Sequence, residues 1–210
     1  MNKRVRTFAK LNYFTCILFL ITGVLGVNAW SSVSQPVSGQ EKAEDKVVKH
    51  LPYANQPVEI GKVNVKGKAI KFNAKIDLNE DDWLNNLSVT VKNVSDKTIT
   101  HIMVYLEFPE TKATGNIMFF PLMYGQNPRA PIVSGQPEAL PVAQTTSLSI
   151  SGDTLNKLTS LVEKRQPLNS LRKVTIHLNT VYFEDGSLWT GGSFFRPDPI
   201  NPTKYVRVEN

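Results

Sequence analysis

From residue 51 almost to the end of the chain, apolar side chains recur at every second position in short runs separated by turn residues, the period of strands with one buried face. The most regular run puts Ile102, Val104, Leu106 and Phe108 on one side and His101, Met103, Tyr105 and Glu107 on the other. Pro109 closes it, because proline has no N–H to give to a strand ladder. Before it, Leu87, Val89 and Val91 alternate with Ser88, Thr90 and Lys92, and residues 93–97 turn the chain. Earlier still, Val63 and residues 69–76 predict a strand or hairpin, with a turn at 79–82. Val174, Ile176, Leu178 and Thr180 repeat the alternation, and Tyr182 and Phe183 extend it. Asp185-Gly186 then predicts a hairpin, since glycine tolerates the positive φ of the favoured turns, with Leu188, Trp189 and Thr190 as the return strand.

Helical spacing occurs in one place. Leu155, Leu158, Leu161 and Val162 fall on one side of a helix that Ser151 or Asp153 can cap, and Lys164 and Arg165 complement its dipole before Pro167. This predicts one short helix bridging two strands. Residues 121–143 hold five prolines (Pro121, Pro128, Pro131, Pro137, Pro141), which excludes a central strand and predicts a long loop, functional or mobile. Many strands with a single helix predict a mainly β chain, an antiparallel β-sandwich with one short helix and a long Pro-rich loop.

The first thirty residues follow another logic. Lys3, Arg4, Arg6 and Lys10 precede an apolar run of 14 residues, 14–27, and Val27-Asn28-Ala29 offers small or short side chains to a signal peptidase. The run falls short of the ~20 residues a membrane-spanning helix needs. Cleavage after Ala29 is the expectation, with an uncleaved anchor as the alternative. Residues 30–50 are polar, rich in Ser, Gln and alternating charge, and read as a flexible spacer. The expected division is therefore a signal peptide at 1–29, a linker at 30–55 and one β-sandwich domain at 56–210.

The export signal changes the meaning of the charge. The formal net charge is +6, but no acidic residue precedes residue 30, so the chain after Ala29 keeps 20 Lys and Arg against 18 Asp and Glu. That near-neutral remainder has no basic block of five or more, which argues against nucleic acid, and no membrane contact is expected once the signal is removed. With 210 residues, 41% of them hydrophobic, there is ample material for a core, so disorder over the whole length is excluded. The one cysteine, Cys16, lies in the apolar run, so neither a disulfide nor a thiolate zinc site is available.

Motifs for chemistry are sparse. His50, His101 and His177 are the only imidazoles, none in an H-E-x-x-H arrangement, and His101 and His177 are expected as exposed residues on the outward side of their strands. No G-x-S-x-G elbow and no phosphate-binding glycine loop occur. Asp77, Asn79 and Asp81 have the 1-3-5 spacing of a calcium loop, but Asp82 stands where such a loop needs glycine and Ser88 where it needs glutamate, which favours an acidic solvated tip. Asn86-Leu87-Ser88 and Asn93-Val94-Ser95 match the N-glycosylation triplet, which chance also supplies. No cofactor is called for. Two aromatic stretches remain: 117–124, with Phe120 and Tyr124, and Trp189 followed by glycines and Arg196. Large rings beside glycine and a stiff loop can form a stacking surface, so Phe120, Tyr124, Trp189 and Arg196 are the candidate ligand-binding residues, with burial in the core as the competing outcome.

Residues 87–108, in which Val89, Val91, Asn93, Ser95, Lys97 and Ile99 recur at alternate positions, resemble the strand-turn-strand unit of bacterial immunoglobulin-like or fibronectin type III-like envelope domains. Residues 183–189 look like the terminal hairpin of similar secreted proteins. The resemblance implies an immunoglobulin-like sandwich acting as a binding, spacing or adhesive module, and transfers no site residue. The expected function is thus a secreted or envelope-associated, non-enzymatic binding module recognising an envelope protein or polysaccharide through a loop-end surface. One alternative is an extracellular hydrolase with an acid/base pair drawn from Glu107, Glu110, Glu184 and Asp185. The other is a structural subunit joined to its assembly by strand pairing.

Overall fold

Alternating valines, isoleucines and leucines make strands here because each run has a buried face to fill. A computed structural model describes residues 45–78, 81–129 and 139–208, all within a unit spanning 42–210. Among the described residues the strands are β1 (Lys46–His50), β2 (Val58–Val65), β3 (Lys68–Ile70), β4 (Lys75–Ile76), β5 (Ser88–Asn93), β6 (Ile99–Phe108), β7 (Met118–Gly125), β8 (Thr145–Ser149), β9 (Lys173–Phe183), β10 (Leu188–Thr190), β11 (Ser193–Pro197) and β12 (Tyr205–Arg207). One α-helix, α1 (Gly152–Val162), lies between β8 and β9. The protein is mainly β, in two sheets.

The smaller sheet has the order β3-β2-β5-β8. The larger is organised on β9, whose 11 residues are long enough to hold two short strands end to end along one edge. Along its other edge runs β6, and β7 follows β6. On the shared edge, β1 pairs with residues 173–176 and leads to β4, while β10 pairs with residues 180–182 and leads to β11 and β12. The β1–β9 pair is parallel and all other recorded strand pairs are antiparallel, which corrects the expectation of a wholly antiparallel arrangement.

Buried side chains from both sheets belong to one apolar cluster: Val63, Val89 and Val91 from the smaller, Val104, Leu106, Ile176 and Trp189 from the larger. The helix contributes Leu158 and Val162 with Leu155 packed at its margin, while Leu161, expected on the same face, is 39% exposed. Trp83 is fully buried, and its indole N–H donates to the Leu171 carbonyl at 2.9 Å, tying the segment before β5 to the segment before β9. The Trp83 segment leads from β4 of the larger sheet to β5 of the smaller, and α1 leads back from β8 of the smaller to β9 of the larger.

Three further expectations change. Lys46–His50, inside the expected linker, is a strand, because Val48 enters the core beside Val174. Alternation in β9 breaks at Asn179, where the register with β6 shifts, so Val181 and not Thr180 faces the core. The Pro-rich stretch begins as strand β7 up to Gly125, with Pro121 on a strand that among the described residues pairs with β6 alone. Residues 130–138 and the segment 1–44 lie outside the described residues, as does the signal-peptide reading. No helix among the described residues is long and apolar enough to cross a membrane.

Candidate functional site

Three connections meet at one end of the strands: residues 55–57, the 93–97 turn and the 183–187 hairpin. The 93–97 turn is built by one side chain. Asn93, fully buried at the end of β5, donates its amide N–H groups to the carbonyls of Lys97 (2.8 Å) and Leu140 (3.1 Å). Its carbonyl accepts from the Ser95 backbone N–H (3.0 Å) and hydroxyl (2.7 Å). The hairpin repeats this chemistry: Gly186 takes φ +77°, and the Asp185 carboxylate accepts from the Ser187 backbone N–H at 2.9 Å and from the Ser187 hydroxyl. Asx-x-Ser is a self-closing turn, because the acceptor side chain reaches the N–H two residues on.

Lys97 joins the two turns. Its ammonium donates to the second Asp185 carboxylate oxygen at 2.7 Å and to the Ser187 hydroxyl at 3.2 Å, and lies 5.7 Å from the Phe183 ring centroid. Burial pushes the Asp185 carboxyl upward, but hydrogen bonds from Lys97 and Ser187, with the Lys97 charge, outweigh it and leave the group below its ordinary value. Both partners are half exposed, so the pair adds less than ~1 kcal/mol to stability. It is a positioning device.

On either side of Lys97 is a cleft. One, of about 320 Å³, is lined by Asn55, Gln56, Ser95, Asp96 and Phe194 among others. The second, of about 370 Å³, is lined by Asp185, Ser187, Phe194, Phe195, Arg196 and Val208 among others. Lys97 and Phe194 belong to both, so the clefts adjoin across an ammonium and an aromatic ring. Arg196 is exposed, and its side chain makes no hydrogen bond or ion pair among the described residues. The chain matches no protein-family profile, no curated protein and no solved structure. Chemistry at this end must therefore be read from its own residues.

Of the four candidate ligand-binding residues, Arg196 is the one that lines either of these two clefts. Phe120 is 7% exposed because it faces Leu106 across the β6–β7 register, and Trp189 is fully buried opposite Val181, so neither offers a stacking face. Tyr124 is half-buried against the core. What the alternation missed is the Lys97–Asp185–Ser187 set, whose signal was the repeated Asx-x-Ser triplet. Asn93 is also removed as a modification site in the folded chain, being fully buried with its amide engaged.

Of the four expected carboxylates, Glu184 is exposed and the other three face separate partners. Glu110 accepts the Arg172 backbone N–H at 3.0 Å, Asp185 holds Lys97, and Glu107 lies 3.6 Å from His177 Nε2. Ser187 is 7% exposed with its hydroxyl already donated, so it is not an available nucleophile. Among the described residues no group of three or more His, Cys, Asp or Glu side chains is arranged to hold a metal. Asp77 and Asp81 are exposed, and Asn79 lies outside the described residues.

The histidines contradict the expectation of exposure. His101 is 1% exposed, its Nδ1 3.2 Å from the Gly125 carbonyl and its ring 6.1 Å from Tyr182, and the His177 side chain is 12% exposed. Burial lowers the pKa of His50, His101 and His177 below 6.5, opposed at His101 by hydrogen bonding of the ring to the backbone of Gly125 and Tyr124 and at His177 by the Glu107 charge. Unfolded imidazoles near 6.5 then take up protons that the folded ones refuse, so stability present above that pH is lost as the pH falls through it toward the folded values. The urea midpoint is expected to be lower at pH 5.5 than at pH 7.5; an equal or higher midpoint at pH 5.5 contradicts this.

Proposed function

We propose that this chain is a non-enzymatic binding module, an immunoglobulin-like sandwich secreted or held at a bacterial envelope, and that its loop-end clefts take a segment of anionic polysaccharide. One observation carries the reading: Arg196, an uncommitted guanidinium, lines a cleft that Lys97 and Phe194 extend into a second one. A guanidinium grips a carboxylate through two parallel N–H bonds, an aromatic face packs against the C–H face of a sugar ring, and amides such as Asn55 and Gln56 suit hydroxyls. Two adjoining clefts suit consecutive residues of a linear chain better than one compact ligand. The export signal and the near-neutral remainder of the chain support an envelope setting.

The test is titration of the full chain with tetragalacturonate, a uronic-acid oligosaccharide, against a neutral cellotetraose control. Arg196→Ala is expected to weaken binding about tenfold or more, since a hydrogen bond to a charged group is worth about 1.5–3 kcal/mol. Lys97→Met is expected to weaken it likewise while moving stability by less than ~1 kcal/mol. Equal affinity for both sugars, or an Arg196→Ala variant that binds as well as the parent, contradicts the reading.

A further inference from the structure

The solvent face of the large sheet carries a second built surface, separate from the clefts. Register across β7, β6 and β9 lays out three rows: Met123, Met103 and Thr180; then Pro121, Tyr105 and His177; then Phe119, Glu107 and Thr175. The rings of Tyr105, Phe119 and His177 stand 5.6–6.1 Å apart at 50–58° to one another, one contiguous aromatic cluster. Phe119 is 43% and Met123 59% exposed, large apolar groups a strand would ordinarily turn inward.

Within this cluster Glu107 holds a carboxylate that makes no hydrogen bond among the described residues. Its charge partner among the described residues is His177, at 3.6 Å too far for a hydrogen bond, and burial keeps that imidazole toward its neutral form. Lys49 ends the same row of the sheet but stands two strands away, about 10 Å at the backbone. A carboxylate edged by π-faces favours a cation, through the ring quadrupoles and its own charge together.

We propose that this face binds a lysine side chain of a partner polypeptide. Successive rows lie about 6.8 Å apart, close to the length of a lysine stem. An ammonium over Glu107, Tyr105 and Phe119 thus leaves its methylenes and the partner backbone over the Pro121 row, and Met103 and Met123, one row further on, meet the neighbouring partner residues, to whose varied surface their unbranched thioethers adapt. The neighbouring edge supports a polypeptide as carrier, since β7 pairs among the described residues with β6 alone and leaves its other side open along the row of Phe119 and Met123. Pro121 blunts full strand addition, so recognition falls to the side chains.

The test uses the full chain and a capped peptide, acetyl-Ala-Lys-Ala-Lys-Ala-amide, beside the same peptide with both lysines Nε-acetylated. The lysine peptide is expected to shift the ring resonances of Tyr105 and Phe119 and the methyls of Met103 and Met123. Acetylation is expected to weaken binding about tenfold. Glu107→Gln, which keeps size and shape, and Phe119→Ala, at an exposed position, should each do the same without moving the urea midpoint, while Arg196→Ala leaves binding unchanged. Equal binding of the acetylated peptide, shifts centred on Lys97 and Arg196, or no shift at millimolar peptide each overturn the proposal.

Discussion

Gly125→Ala is expected to cost about 3–5 kcal/mol, a large part of the 5–15 kcal/mol by which a domain is stable. Gly125 ends β7 opposite His101 with φ +72°, a region alanine enters only under strain. A Cβ there would stand 2.0 Å from the Thr100 carbonyl oxygen and 3.0 Å from its carbon, backbone atoms of the central strand β6 that no rotamer change can move. Relief would require β7 to part from β6, and the Gly125 carbonyl 3.2 Å from His101 Nδ1 would leave with it. A fall of more than about 1 M in the urea midpoint is the expected reading. Gly67→Ala is the internal control: φ is +78° there too, but nothing lies within 4 Å of its Cβ, so the loss should stay near 1 kcal/mol. Equal losses at the two sites would show that contact with Thr100 does not matter.

Trp83→Ala should be comparably severe, about 3–5 kcal/mol for emptying a fully buried indole site. Its position between the sheets' approaches makes the comparison with Trp189 instructive. Trp83 Nε1 donates to Leu171 at 2.9 Å, whereas Trp189 Nε1 has no hydrogen-bond partner among the described residues and meets Tyr53 edge-on at 5.7 Å. Phenylalanine at 83 therefore strands a carbonyl, while phenylalanine at 189 relieves an unmatched donor. Thermal unfolding of the two variants should put Trp83→Phe below Trp189→Phe by roughly 1 kcal/mol or more; the reverse order would contradict the hydrogen bond's role.

The sequence made the core face of β6 legible, because seven consecutive positions, 101–107, pair on both sides and any slip would expose an aliphatic face. It made β9 legible only to Leu178, since a bulge leaves no trace in composition and inverts every residue after it. His101 was misplaced for a related reason. Strand parity gives the face but not the cover, and Tyr182 with the close β7 backbone cover it. β1 was invisible because two valines between lysines are too short a run to show a period, and its partner lies over a hundred residues away. Aromatic size misdirected the site reading. Phe120 and Trp189 were conspicuous as rings, yet register sends both to the core, while the clefts are lined by polar residues of three turns distant in sequence together with Phe194, Phe195 and Arg196 of β11. Such a site is written in the turn triplets Asn93-Val94-Ser95 and Asp185-Gly186-Ser187, which fix backbone and leave Lys97 to bridge them.

The fold and the proposed function meet at that bridge. A two-sheet body supplies rigidity, and the connections at one end, together with Phe194 and Arg196 of β11, supply the chemistry. Backbone amide shifts of the full chain during titration with tetragalacturonate test this most directly. The account predicts movement concentrated at residues 94–97, 185–187 and 194–197, with β2 and β8 still; saturable binding whose shifts fall away from those three segments, or no binding at millimolar sugar, would contradict it.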